Sequence, residues 1–206
     1  MLLAAALAEA NIEGLADYIA GADAGIVIVP KTPPAKSDIP WGCWLKDRGE
    51  EALAEAGFDF FVFPPETPLA TLQDSGAGKI LEVRAPLNEG LIKTIDDLPV
   101  DAVLITGEPE KLTWHHLMLF QRCAELITKP LLASVPPGVN SSELQALWAA
   151  GVVGGVVDSP PPGRISELRQ IIDKLVFTLP SKRRKVEPLI PRIVAETGTV
   201  SEEEDE

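Results

Sequence analysis

Two ionisable residues occur where a strand would make them neighbours. In Ile80-Leu81-Glu82-Val83-Arg84, alternation sends Leu81 and Val83 to one face and Glu82 with Arg84 to the other. An apolar face packs against helices, so the acid and the guanidinium are expected to point the opposite way, where a charge is costly unless paired. A carboxylate beside a guanidinium equips a site with a general base and a holder for an anionic substrate group. The same pair also suits a polar layer completed by other strands. Asp158 ends a second apolar run, Gly154-Gly155-Val156-Val157-Asp158, and shares parity with Val156. It is read either as a second acid/base group across from Glu82 or as a cap for the helix that follows. Lys31 and Lys46 each follow a strand-like run. Either is an imine-forming amine if desolvated, or a solvated lysine that binds nothing.

The two histidines, His115 and His116, are adjacent. On a helix adjacent residues diverge by about 100°, so they cannot grip one metal as an i, i+4 pair does. No other Cys or His is spaced to assist them, so no metal site and no cofactor is expected.

These residues depend on elements that place them together. Residues 130–158 read as strand, loop, helix, glycine turn and strand, a βαβ unit with parallel pairing. Offset by 130 residues, Gly151 falls on Gly21 and Gly155 on Gly25, and a third copy starts at Trp41. Continuing the pattern gives strands at 2–7, 25–29, 41–45, 59–63, 79–84, 101–106, 131–135 and 154–158. Helices are expected at 11–20, 47–56, 68–73, 88–98, 113–128, 142–150 and 165–177, with Asn11 and Thr113 as N-caps. Between the second and third strands, Pro30, Pro33, Pro34 and Pro40 leave no room for a helix. The fold expected is α/β, a compact (βα)8 TIM barrel with its second helix missing or vestigial, over residues 1–179. Residues 180–206 form a tail, basic at Lys182-Arg183-Arg184-Lys185 and acidic at its end.

The chain has 206 residues, 46% apolar and 24% charged, with a net charge of −13. Such a charge disfavours nucleic acid and anionic membranes as partners. No apolar run approaches the roughly 18 residues of a membrane helix. Cys43 and Cys123 are too few for a disulfide framework and read as reduced core thiols of a cytoplasmic protein. Without its second helix, the flank of strands two and three would expose apolar surface, which a homodimer or the tail's Leu189, Ile190, Ile193 and Val194 would cover.

Residues 143–159, ELQALWAAGVVGGVVDS, resemble the closing segment of the aldolase-type, phosphate-binding barrels, where an A-G-x-x-G-hydrophobic-hydrophobic turn feeds strand eight. The layout of residues 1–177 is similar to that superfamily. The resemblance implies a phosphate held by backbone N–H groups of the loops after strands seven and eight. On this sequence those positions are Gly138, Val139, Ser159, Gly163 and Arg164. Pro136-Pro137 and Pro160-Pro161-Pro162 supply no N–H groups there, and the sixth strand, DAVLIT, has no lysine of the Schiff-base type.

Chemistry on a barrel gathers at the C-terminal ends of its strands. The first expectation is a lyase or isomerase acting on a small anionic, perhaps phosphorylated, organic substrate. Glu82 is the base, Asp158 the second acid/base group, and Arg84, Arg164, Gly163, Lys31 and Lys46 hold the substrate. The second is a non-catalytic barrel that acts as a protein-interaction or structural module. The passage from fold to function is by analogy in both.

Overall fold

The structure, a computed structural model, describes residues 1–8, 14–28, 38–46, 57–72, 75–84, 89–107 and 111–177. Eight parallel strands close on themselves in chain order. They are β1 (Leu2–Leu7), β2 (Ala24–Val27), β3 (Trp41–Trp44), β4 (Phe60–Phe63), β5 (Gly78–Arg84), β6 (Ala102–Thr106), β7 (Leu131–Val135) and β8 (Gly154–Asp158). Six α-helices are described: α1 (Leu15–Ile19), α2 (Leu69–Leu72), α3 (Glu89–Thr94), α4 (Trp114–Leu126), α5 (Ser141–Ala149) and α6 (Arg164–Lys174). A 3-10 turn, Ile95–Asp97, extends α3. The barrel is the one expected from the repeats.

Several boundaries move, for local reasons. α1 starts after Gly14, a left-handed N-cap with a φ of 75°, and the expected cap Asn11 lies outside the described residues. α5 begins one residue early because Asn140 and Glu143 form a reciprocal capping box. α6 stops at Lys174, where Leu175 turns extended, and not at residue 177. The helix expected at 47–56, most of the proline stretch at 30–40, and the tail from 180 also lie outside the described residues. Among the described residues no helix separates β2 from β3.

Alternation sorts the strand residues into two cores. Ala6, Ile26, Trp44, Val62, Leu104 and Val156 fill the barrel interior. Val83, Val103, Ile105, Ala133 and Val157 face outward into a core with Phe120, Leu144, Leu147, Leu168 and Ile172 of the helices. On the flank of β2 and β3 the outward Val27, Trp41 and Cys43 are buried within the single chain. Trp41 lies across Gly25, where an added Cβ would come within 2.7 Å of the ring, so this wall is plated partly by an indole. Both cysteines are free and buried, and burial pushes the Cys43 thiol up to about 11 and the Cys123 thiol upward as well.

The N-terminal rim carries a repeated device. Asp23, Asp59 and Asp101 immediately precede β2, β4 and β6. Each donates its backbone N–H to the first rungs of the preceding strand, at Leu3 O (2.8 Å), Trp41 O (2.8 Å) and Lys79 O (2.7 Å). Each carboxylate accepts from that same residue's N–H, at 2.8 Å for Leu3 and Trp41 and 2.7 Å for Lys79. Three strand starts are thereby supplied with an acceptor that the ladder does not provide.

Candidate functional site

Register decides what reaches the opposite end. Glu82 shares a rung with Leu104, and Asp158 shares one with Ala6; both partners belong to the interior core. Arg84 shares a rung with Thr106, two residues further along the same face. Glu82 therefore looks inward from β5, as expected, while Arg84, on the same face, ends at the C-terminal mouth with most of its side chain exposed.

Glu82 is 1% exposed and accepts three side-chain hydrogen bonds. Trp44 Nε1 donates to Oε2 at 2.6 Å, Thr106 Oγ1 donates to Oε1 at 2.9 Å, and Arg84 Nε donates to Oε1 at 3.1 Å. Three donors from three strands offset the desolvation of a carboxylate set in an apolar layer. Arg84 itself has 62% of its side chain exposed, so its positive end is at the opening.

A second pair joins this one. Lys46, just after β3, donates to Asp158 Oδ2 at 2.9 Å, with side chains 31% and 39% exposed. Its ammonium also sits 4.2 Å from the ring centroid of Trp44. One indole thus ties its N–H to the buried acid and presents its face to the lysine. Ser159 Oγ donates to the other oxygen of Asp158 at 2.9 Å. Its φ of 48° is the one positive value at a non-glycine among the described residues. Such a conformation costs on the order of 1–3 kcal/mol, and its N–H bond to Ala6 O at 2.8 Å helps hold it. Asp158 does not cap α6, whose N-cap is Gly163 with no side-chain cap bond.

The loops after β7 and β8 are arranged differently. Arg164 donates from Nε to Pro137 O, from Nη2 to Val139 O at 2.8 Å and from Nη1 to Glu167 at 2.9 Å. It staples the start of α6 to the β7 loop. The N–H of Gly163 goes to Asp17 O at 2.8 Å, that of Val139 to Pro136 O at 3.1 Å, and that of Arg164 to Pro161 O at 3.2 Å. Four of the five positions implied for a phosphate thus have an N–H spent within the chain, Ser159 included. Lys31 lies outside the described residues.

His116 has a structural task. Its Nδ1 accepts from the Thr113 N–H at 3.1 Å and its own N–H bonds back to Thr113 Oγ1 at 3.4 Å, closing a capping box at the start of α4. Its pKa is lowered by partial burial and then by His115. Among the described residues no group of three His, Cys, Asp or Glu side chains is placed to hold a metal, and no helix is long and apolar enough to cross a membrane.

Two members of the cluster escape a reading of residue types, Trp44 and Thr106. The signal for Trp44 was the alternation in Trp41-Gly42-Cys43-Trp44, which sets Trp44 on the face opposite Cys43. For Thr106 it was the polar end of an otherwise apolar strand.

No family model matches the chain, and no curated protein matches it. Among solved structures it is similar to N-(5'-phosphoribosyl)anthranilate isomerase from Pyrococcus furiosus, at 16% identity and a TM-score of 0.62, over 85% of this chain and 100% of that one. It is also similar to the tryptophan synthase A-subunit of the same organism, at 15% identity and a TM-score of 0.61, over 84% and 96% of the two chains. The tryptophan synthase complex of that organism aligns at 14% identity and a TM-score of 0.59, over 82% and 94%. The likeness is one of fold: the chain is a closed (βα)8 barrel, the layout that its repeats suggested.

Proposed function

We propose that the chain is a small-molecule enzyme, a lyase or isomerase in class, that moves a proton on a small anionic organic substrate at the barrel mouth. One observation carries this reading: four charged side chains of β3, β5 and β8 and their ends form two ion pairs, Glu82 with Arg84 and Lys46 with Asp158, joined through Trp44. Partly exposed ion pairs contribute little to stability, so such a network at a barrel mouth is more readily explained by chemistry than by stability. An isomerase among the structures of similar fold supports the class.

Arg84 holds the substrate's anionic group. Asp158 takes a proton from a carbon next to a carbonyl; the C–H bond breaks, an O–H bond forms on the carboxyl, and the electron pair moves to the carbonyl oxygen. The Lys46 ammonium stabilises that oxygen's charge. Where the deprotonated carbon carries a hydroxyl, returning the proton to the former carbonyl carbon while the hydroxyl proton passes to the other oxygen gives isomerisation; where the next carbon out carries a leaving group, its departure with the bonding pair gives elimination. Glu82, enclosed and triply bonded, positions Arg84 and Trp44, a change from the role of base that its residue type suggested.

The Arg164 staple and the spent N–H groups around it favour a second reading, a non-catalytic module with a closed lip. Proton NMR in deuterium oxide separates the two. A library of small oxo acids, hydroxy acids and sugar phosphates is incubated with the full chain and watched for loss of C–H signals. Exchange that falls by about 100-fold or more in Asp158→Asn supports the enzyme. No exchange with any member, and a library response that is the same in Asp158→Asn, supports the module.

A further inference from the structure

Ser159, directly after β8, is the one non-glycine among the described residues with a positive φ, 48°. Glycine enters that region without steric resistance and other residues against it, so the turn itself favours glycine at this position. The reason for a serine lies in its neighbour. On an extended strand adjacent side chains point to opposite faces, and Asp158 shares a rung with Ala6 of the interior. Had β8 continued, the Ser159 hydroxyl would point away from Asp158. The turn brings it back, so that Oγ donates to Asp158 Oδ1 at 2.9 Å. The backbone keeps the turn in place: the Ser159 N–H donates to Ala6 O at 2.8 Å, and Pro160, Pro161 and Pro162 stiffen the chain that follows.

The Asp158 carboxylate is thereby held at both oxygens, by Ser159 at Oδ1 and by Lys46 at Oδ2, at 2.9 Å in each case. A carboxylate offers about four lone-pair sites, so each oxygen keeps one for a substrate. Held at one oxygen alone, the group could turn about its terminal bond, a soft torsion. Held at both, its plane is set, and Oδ2 stays beside the Lys46 ammonium.

We infer that Ser159 is a positioning residue, which fixes the plane of the Asp158 carboxylate so that the base and the Lys46 ammonium meet the substrate together. This rests on the function proposed above and adds to it a residue that acts through Asp158 and not on the substrate.

The test compares Ser159→Gly, Ser159→Ala and Ser159→Asn in the full chain. Glycine and alanine both lack the donor, but only alanine keeps the steric resistance, so Ser159→Gly should melt higher than Ser159→Ala. Asparagine tolerates a positive φ and carries an amide donor. One readout needs no substrate: the Asp158 carboxyl signal in protein 13C-labelled at aspartate Cγ, identified by its absence in Asp158→Asn. The other is C–H exchange in deuterium oxide with the oxo acids, hydroxy acids and sugar phosphates named above. The carboxyl signal should move in Ser159→Gly and Ser159→Ala alike. Exchange at saturation should fall by at least about tenfold in both, with little change in KM, and Ser159→Asn should recover most of it. Exchange that follows the melting temperatures, lower in Ser159→Ala than in Ser159→Gly, or an unmoved carboxyl signal, makes Ser159 part of the turn only and overturns the inference. Exchange in Ser159→Gly equal to that of the parent also overturns it and leaves the proposed function standing. No exchange by the parent overturns the proposed function, and this inference with it.

Discussion

Carboxylates stand at both ends of this barrel and are used in opposite ways. At the N-terminal rim, Asp23, Asp59 and Asp101 bond to backbone N–H groups of β1, β3 and β5. At the mouth, Glu82 and Asp158 bond, among the described residues, to side chains, those of Trp44, Thr106, Arg84, Lys46 and Ser159. A backbone donor is fixed by the sheet, so the acid opposite it is held in one geometry, even at Asp23, which also accepts from the Arg169 guanidinium. A side-chain donor can turn away when a ligand arrives. The rim is therefore suited to stability, and the mouth, on the function proposed, to exchange of partners.

The largest effect should come from removing the rim device. The three aspartates share no partners, so losses of about 1 kcal/mol each should add in the triple Ala variant to about 3 kcal/mol, read by urea denaturation. Ligand binding by the surviving folded fraction should keep the parent affinity. A triple variant as stable as the parent would break the comparison at its stronger end.

Glu82→Leu comes next, because Glu82 belongs to the mouth yet lies in the interior core. It leaves Trp44 Nε1 and Thr106 Oγ1 without their acceptor, and the expected loss is about 2 kcal/mol, partly offset by the apolar replacement. The Trp44 indole signal should move in the same variant. An unchanged indole signal would mean that Glu82 does not position the ring.

Lys46→Met combined with Asp158→Leu sharpens the contrast further. Partly exposed ion pairs contribute little, so stability should stay within about 1 kcal/mol of the parent while exchange or ligand response is lost. A large loss of stability would make the mouth pair a rim-like structural element.

The smallest effect concerns α4. Neutral His116 accepts the Thr113 N–H, and its pKa is depressed below the ordinary 6.5. The folded chain holds fewer protons than the unfolded chain between those values. This contribution is complete above about pH 6.5 and declines as pH falls through the folded value. Melting curves from pH 8 to pH 5 should show a small loss that disappears in His116→Gln, which retains an acceptor at that position. Equal pH dependence in the two chains would remove His116 as its source.

The strands were legible in the sequence for physical reasons. β1, β7 and β8 have the expected bounds because they are short apolar runs, β7 following Pro130 and β8 entered through a glycine turn. The inward aim of Glu82, and its sharing a face with Arg84, followed from period-two alternation alone. The Lys46–Asp158 contact did not, because the two residues are 112 positions apart and meet only once the sheet closes. The rim aspartates carried a signal that residue typing passes over, an acid immediately before each of β2, β4 and β6. The spending of the Gly163 N–H on Asp17 O depends on how α1 and α6 pack, which no local pattern encodes.

Each rim aspartate bridges the two strands that flank it, β1 with β2, β3 with β4, and β5 with β6, and Asp23 also pairs with Arg169 of α6. The cylinder is accordingly assembled from paired staves, with β7 and β8 the pair that lacks the brace, Val153 standing at the equivalent place. A chain severed between β4 and β5 keeps every brace whole, whereas one severed between β3 and β4 destroys one. Half-barrels made by the first cut are the natural units for recombination, and the unbraced last pair is where a transplanted segment would meet least resistance.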